Sequence, residues 1–213
     1  MKILATALLL AAALLPGCSP RESGRPLFNG HDLAGWEWRC AEPGVAADRV
    51  WSAAEGVLLC RGEPKGFLET AEEFGDFELT LEWRWKPGTP GGNSGVLLRA
   101  AGPGPVPPWP KCIEAQLKAD SAGDLVELGA TIDVKDKAAR QKGIVIAREV
   151  GEVERPPGEW NTMVVACRGA TVCIQINGRM VNRGTNASVA RGRICLQSEG
   201  AEIHFRNLRI LAF

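Results

Sequence analysis

Arg99, Glu114 and Gln116 are the side chains in this chain whose types and spacing could do chemistry together. They lie in two short alternating runs, Gly95-Val96-Leu97-Leu98-Arg99 and Ile113-Glu114-Ala115-Gln116-Leu117, joined by a loop in which five of the ten residues from Ala101 to Pro110 are proline. Period-two alternation puts Leu97 and Arg99 on one face of the first run. It puts Glu114 and Gln116 opposite Ile113, Ala115 and Leu117 on the second. If the two runs share a sheet, a guanidinium, a carboxylate and an amide converge on one polar face. Such a set can move a proton and hold an anionic oxygen. A solvated sheet face has the same pattern, so the spacing alone does not decide between a site and a surface.

The elements that must position these residues are strands. In Phe77-Glu78-Leu79-Thr80-Leu81-Glu82-Trp83-Arg84-Trp85 the odd positions are apolar and belong to a core. Glu82 and Arg84 then face outward, and beside Arg99 and Glu114 they would enlarge the polar face. The bland alternative is a row of cross-strand charge pairs worth a few tenths of a kcal/mol. Val50 to Ser52, a Glu55-Gly56 turn and Val57 to Cys60 read as a hairpin, and Gly66 to Thr70 as a further strand. Trp160 to Arg168, a Gly169-Ala170 turn, Thr171 to Ile176, an Asn177-Gly178 turn and Arg179 to Asn182 read as a meander, because Asn-Gly between extended runs is a strong hairpin signal. Gly123 to Ile132 suggests two more strands, Asp133 to Lys142 an exposed charged excursion, and Ile144 to Val153 a hairpin arm. Trp109 in the proline-rich loop either caps the core or stacks on a ligand.

Composition narrows the function classes. Lys plus Arg and Asp plus Glu are 25 each in 213 residues, so there is no electrostatic footprint for nucleic acid. Gly at 25 and Pro at 14, with short alternating apolar runs, indicate an all-β sandwich or barrel. Motifs for nucleophile elbows, zincins, phosphate loops and dinucleotide folds are absent. His31 and His204 are the only histidines, which argues against a His/Cys metal centre. No cofactor is expected; a divalent cation held by carboxylates and carbonyls leaves no sequence signature here and stays open.

Residues 1–17 read as a helical signal segment. Lys2 is its positive end, and Ile3 to Leu15 is too short to span a bilayer. Leu14-Leu15-Pro16-Gly17-Cys18 resembles a lipoprotein lipobox, which makes Cys18 the lipidated residue and residues 18–26 a tether. On this reading residues 27–213 form a single domain in a bacterial cell envelope, periplasmic or outer-membrane-associated, touching the membrane through the anchor only. Ordinary signal-peptidase cleavage nearby is the alternative. Six cysteines remain, at 40, 60, 112, 167, 173 and 195. In an oxidising compartment they allow fifteen pairings; at most one or two bridges are expected, the other thiols serving as small buried hydrophobes.

Further ordered segments carry a family resemblance. Leu27-Phe28-Asn29-Gly30 with Leu33 to Trp36, Glu82-Trp83-Arg84-Trp85, Asn93 to Arg99, Trp109-Pro110-Lys111 with Glu114 to Leu117, Gly123-Asp124, Gly158 to Asn161, Ile176-Asn177-Gly178, and Leu196 to Gly200 followed by Phe205-Arg206-Asn207 occur in that order. Over residues 26–210 the chain resembles the 3-keto-disaccharide hydrolase domain family. The resemblance implies a concanavalin A-like jelly-roll sandwich of two antiparallel sheets and a carbohydrate ligand. It further implies cleavage of glycosides oxidised at C3 by removal of the C2 proton, elimination and hydration. On that chemistry Glu114 is the expected base, with Arg99 and Gln116 orienting the sugar and stabilising the enolate. Arg84, Glu82, Trp109, Gln197, Glu199 and His204 are further candidates for substrate contact. Many relatives have Asp-His-Gly where this chain has Ser198-Glu199-Gly200, so a mechanism using that histidine is in doubt. A non-catalytic, lectin-like domain and a partner-binding envelope domain remain the competing readings.

Overall fold

The computed structural model describes residues 24–213. The signal segment, Cys18 and most of the expected tether lie outside the described residues. Two antiparallel sheets face each other. Edge to edge, the first runs β10 (Asp133–Val134), β15 (Arg179–Thr185), β14 (Thr171–Ile176), β13 (Asn161–Arg168), β6 (Phe77–Trp85), β17 (Ile203–Ala212), β4 (Val57–Cys60) and β3 (Trp51–Ala54), with β1 (Arg25–Pro26) also on β17. The second runs β11 (Gln141–Lys142), β12 (Val145–Ile146), β9 (Leu125–Leu128), β8 (Pro110–Gln116), β7 (Gly95–Pro103), β16 (Arg193–Ser198), β5 (Gly66–Thr70) and β2 (Trp36–Cys40). Among the described residues the single-turn helix α1 (Lys137–Arg140) and a 3-10 turn at Ala47–Arg49 interrupt the all-β pattern.

The core between the sheets follows the alternation. Phe77, Leu79, Leu81, Trp83 and Trp85 of β6 are buried in it, facing Val96 and Leu98 of β7 and Ile113 and Ala115 of β8. Fully burying each such side chain contributes roughly 1.5–3 kcal/mol. The 160–182 meander forms as read: Asn177 and Gly178 both have positive φ (50° and 78°), which a two-residue hairpin turn requires. Three boundaries differ from the sequence reading. Residues 25 and 26, assigned to the tether, pair with Arg209 and Ile210 and begin the sandwich. Only one strand, β9, forms between 123 and 132. The charged excursion is ordered by a knot around Glu127, which accepts from Lys137 Nζ at 2.7 Å, Gln141 Nε2 at 2.9 Å and Ile132 N at 2.9 Å.

None of the six cysteines at 40, 60, 112, 167, 173 and 195 is in a disulfide. Cys60, Cys112, Cys167 and Cys195 are buried among apolar side chains, and burial pushes their thiols up, to about 11 for Cys60 and about 12 for Cys167. Such thiols are inert and act as packing groups.

Candidate functional site

β7 and β8 pair in the register Gly95–Gln116, Val96–Ala115, Leu97–Glu114 and Leu98–Ile113. Since Val96, Leu98, Ile113 and Ala115 fill the core, Gly95, Leu97, Glu114 and Gln116 point to the outer face of the second sheet. That face is not bare. A second apolar cluster of Phe67, Leu97, Ala100, Trp109, Cys112, Val126, Leu128 and Cys195 covers its middle. Glu114 stands against this cluster and is only 3% exposed.

Burial is the main reason its carboxyl is pushed up to about 8, and the negative charge of Glu199 adds to the effect. The side chain leans over Gly95: a Cβ there would lie 2.1 Å from Glu114 Oε1. The absent side chain at 95 is therefore what makes room for the carboxyl. Around it sit Gln197 of β16, Asn93 just before β7, and Glu199 just after β16. Asn93 Nδ2 donates to Glu199 Oε2 at 2.8 Å, and Lys65 Nζ pairs with Glu199 Oε1 at 3.0 Å. Among the described residues, three buried oxygens here have no hydrogen-bond partner: Glu114 Oε1, Gln197 Oε1 and Asn93 Oδ1. Leaving such groups unpaired costs about 1–3 kcal/mol each. A polar ligand or a water that donates to them recovers that cost, which makes this cluster the candidate site. Gln116 is fixed from below, because its Oε1 accepts from the backbone N–H groups of Leu117 and Lys118 at 3.0 and 2.9 Å.

Arg99 is not part of this cluster, contrary to the convergence expected from alternation. It has φ +52° at a register shift between Leu98 and Ala101. This bulge breaks the period of two, so Ala100 joins Leu97 on the outer face and Arg99 turns inward. There it is 1% exposed and donates to the carbonyls of Gly75 (2.8 Å), Gly169 (2.7 Å) and Val189 (3.1 Å) and to Asp76 Oδ1 (3.1 Å). It ties three loops at one end of the sandwich.

Glu82, Arg84 and His204 are also elsewhere. The outward face of β6 and β17 belongs to the first sheet, on the far side of the core. Arg84 and Arg206 stack on Trp160, with guanidinium carbons 4.6 and 4.0 Å from the ring centroid. Arg206 pairs with Glu82 at 2.6 Å, Arg84 Nε donates to His204 Nδ1 at 3.3 Å, and His204 Nε2 meets Glu202 at 3.1 Å. This row does not enlarge the Glu114 site. Trp109 is buried against Phe67 at 6.4 Å and caps the outer face. Of the sequence candidates, Glu114, Gln116, Gln197 and Glu199 gather at one place. Asn93, Gly95 and Lys65 join them; Asn93 and Gly95 carried a usable signal, being polar and small on the same strand face, whereas Lys65 comes from a loop and carried none. Among the described residues no group of three or more His, Cys, Asp and Glu side chains has metal-binding geometry.

Comparisons with solved structures agree with the sandwich. A candidate glycosyl hydrolase from Parabacteroides distasonis is 22% identical with a TM-score of 0.62, the alignment covering 88% of this chain and 92% of that one. The carbohydrate-binding module CBM66 from Bacillus subtilis is 13% identical with a TM-score of 0.61, covering 85% and 98%. SCLam, a non-specific endo-β-1,3(4)-glucanase, is 12% identical with a TM-score of 0.57, covering 85% and 86%. At these identities the likeness establishes a jelly-roll fold. No curated protein sequence matches. Residues 24–211 match the family model of the 3-keto-alpha-glucoside-1,2-lyase-like domain.

Proposed function

The chain belongs to the 3-keto-alpha-glucoside-1,2-lyase-like domain family, and from that membership we propose that it cleaves 3-keto-glycosides with Glu114 as the proton-transfer group. The observation that carries this reading is a buried carboxyl pushed up to about 8, with its own Oε1 unpartnered beside the unpartnered oxygens of Asn93 and Gln197. A base works best when its pKa lies near the working pH, and burial brings an otherwise weakly basic carboxylate there.

The ketone at C3 acidifies the C2–H bond. Glu114 as carboxylate takes that proton, and the C–H electron pair becomes the C2–C3 enolate. The enolate then expels the glycosidic oxygen from C1, forming a C1=C2 double bond and restoring the ketone. The proton held by Glu114 goes to the departing oxygen. Water adds at C1, a proton returns to C2, and the free 3-keto sugar results. Asn93, Gln197 and Lys65 supply amide and ammonium N–H groups for the enolate oxygen. Arg99 has no part in this scheme.

The test is to incubate the purified domain with a 3-keto-disaccharide and with its unoxidised parent. The wild type is expected to release the 3-keto sugar from the first and nothing from the second. Glu114→Gln should lower the rate at least about 10²-fold while remaining folded. Full activity in that variant overturns the assignment. Saturable binding of both sugars with turnover of neither replaces it with the lectin-like reading.

A further inference from the structure

The second sheet ends on β2, and that edge is open. β2 runs antiparallel to β5 from Trp36–Thr70 to Cys40–Gly66 without a register shift. In the same register Ala71 N donates to Gly35 O at 2.9 Å, and Ala41 N to Lys65 O at 3.1 Å. Positions 35 and 41 are therefore in hydrogen-bonded pairs, and alternation makes 37 and 39 bonded as well. The backbone groups of Trp36, Trp38 and Cys40 then point away from β5. Trp36 N–H is satisfied by Leu33 O at 3.0 Å. Among the described residues nothing takes up the Trp36 carbonyl or the N–H and carbonyl groups of Trp38 and Cys40.

Unpaired edge groups are a template for another strand. β2 has neither the proline nor the bulge that commonly blunts an edge. Among the described residues it is also the longest edge strand, with five residues against four in β3 and two each in β10 and β11. Its large side chain does not wall it off. The Trp38 ring is turned back over β5, where a Cβ on Gly66 would lie 2.6 Å from Trp38 Cη2, and Trp38 Nε1 donates to Val45 O at 3.1 Å. The loop after β2 shares a cavity with Glu63 and Pro64, just before β5. It therefore turns toward β5 rather than across the open side of β2.

The charges on this edge select the partner. Glu37 and Arg39 stand on the outer face, with side chains 45% and 54% exposed. In an antiparallel second copy with Trp38 at the two-fold axis, the Trp38 N–H and carbonyl exchange bonds with those of the partner's Trp38. Cys40 N–H reaches the carbonyl of the partner's Trp36. Glu37 and Arg39 fall at the non-bonded positions, where facing side chains come closest. Each Glu37 then faces the partner's Arg39, whose Nη1 takes no part in the contacts to Glu37 and Glu69. Moving the axis by one residue either way sets Glu37 against Glu37 or Arg39 against Arg39. The edge is complementary to itself in one register and repulsive in the two beside it.

We propose that β2 is a self-association edge, and that two copies of this chain join β2 to β2 in this register to extend the second sheet. The contact uses the same patch on both copies, so it closes at a dimer. The axis stands perpendicular to the sheet, and both Glu114 faces look the same way. A five-residue strand contact belongs to the weak end of interfaces, so the association is reversible.

The test is sedimentation equilibrium of the purified protein across the micromolar range. The wild type is expected to associate reversibly to twice the mass of one chain. Glu37→Arg and Arg39→Glu each put like charges across the axis, and each should weaken self-association at least about tenfold. Mixing the two single variants restores opposite charges, as does the double variant Glu37→Arg/Arg39→Glu, and both are expected to recover the dimer. Recovery in the mixture also shows that the single variants are folded. A wild type that stays monomeric overturns the proposal and leaves the edge to an extended segment of another protein. Single variants that associate as well as wild type, or a mixture that stays monomeric, overturn it as well.

Discussion

Glu114 and Glu199 form the electrostatic centre of the site. The charge of Glu199, held by Lys65 and Asn93, contributes to the raised pKa of Glu114. Glu199→Gln removes that charge, so the ascending limb of the pH–rate profile should move to lower pH; a limb that stays in place would show that burial alone sets it. Arg99 makes the opposite case. It has the type and nominal spacing of a catalytic cation, but four hydrogen bonds from a buried guanidinium make it a loop clamp. Arg99→Ala leaves three carbonyls without this donor and Asp76 Oδ1 with the Gly169 N–H alone, and should cost about 3–5 kcal/mol in urea denaturation. A loss below about 1 kcal/mol would contradict the clamp. Residue type and alternation located Glu114 and Gln116. They failed at Arg99 because a one-residue bulge at a left-handed, non-glycine position has no signature in the string of letters.

At the scale of elements, the site exists because β7 gives up a side chain where β8 puts in a carboxyl. Gly95 does not have positive φ, so alanine is conformationally acceptable there, yet its Cβ would press on the Glu114 carboxyl. Gly95→Ala should keep the fold at a cost of about 1–3 kcal/mol, and lose most of the activity by displacing Oε1. Retained activity would show that the carboxyl need not sit over Gly95. The strands themselves were legible from their period. Which sheet each strand entered was not. The alternation of β6 correctly turned Glu82 and Arg84 away from the core, but period two says nothing about which of two sheets a strand joins. The β6–β17 polar row therefore ended on the opposite side of the sandwich, where two arginines stack on Trp160.

For the molecule as a whole, a buried carboxyl costs stability whenever it is ionised. Between the ordinary carboxyl value of 4.5 and about 8, the folded chain keeps a proton on Glu114 that the unfolded chain has released. Stability from this group is complete below pH 4.5 and falls as pH rises to about 8, by on the order of a few kcal/mol. The melting temperature of wild type should decline through this window, and Glu114→Gln should remove most of that decline. The all-β class was readable from composition and turn chemistry, and the two-sheet sandwich came only with the family resemblance. The depth of Glu114 was not, because it depends on Trp109 and Phe67 folding over the outer face from distant parts of the chain. The most direct test of the central claim is the pH dependence of kcat/KM on a 3-keto-disaccharide from pH 5 to 10. With Glu114 as base, the rate rises with unit slope and levels off near pH 8; a profile that is flat or falling between pH 6 and 8 would contradict it.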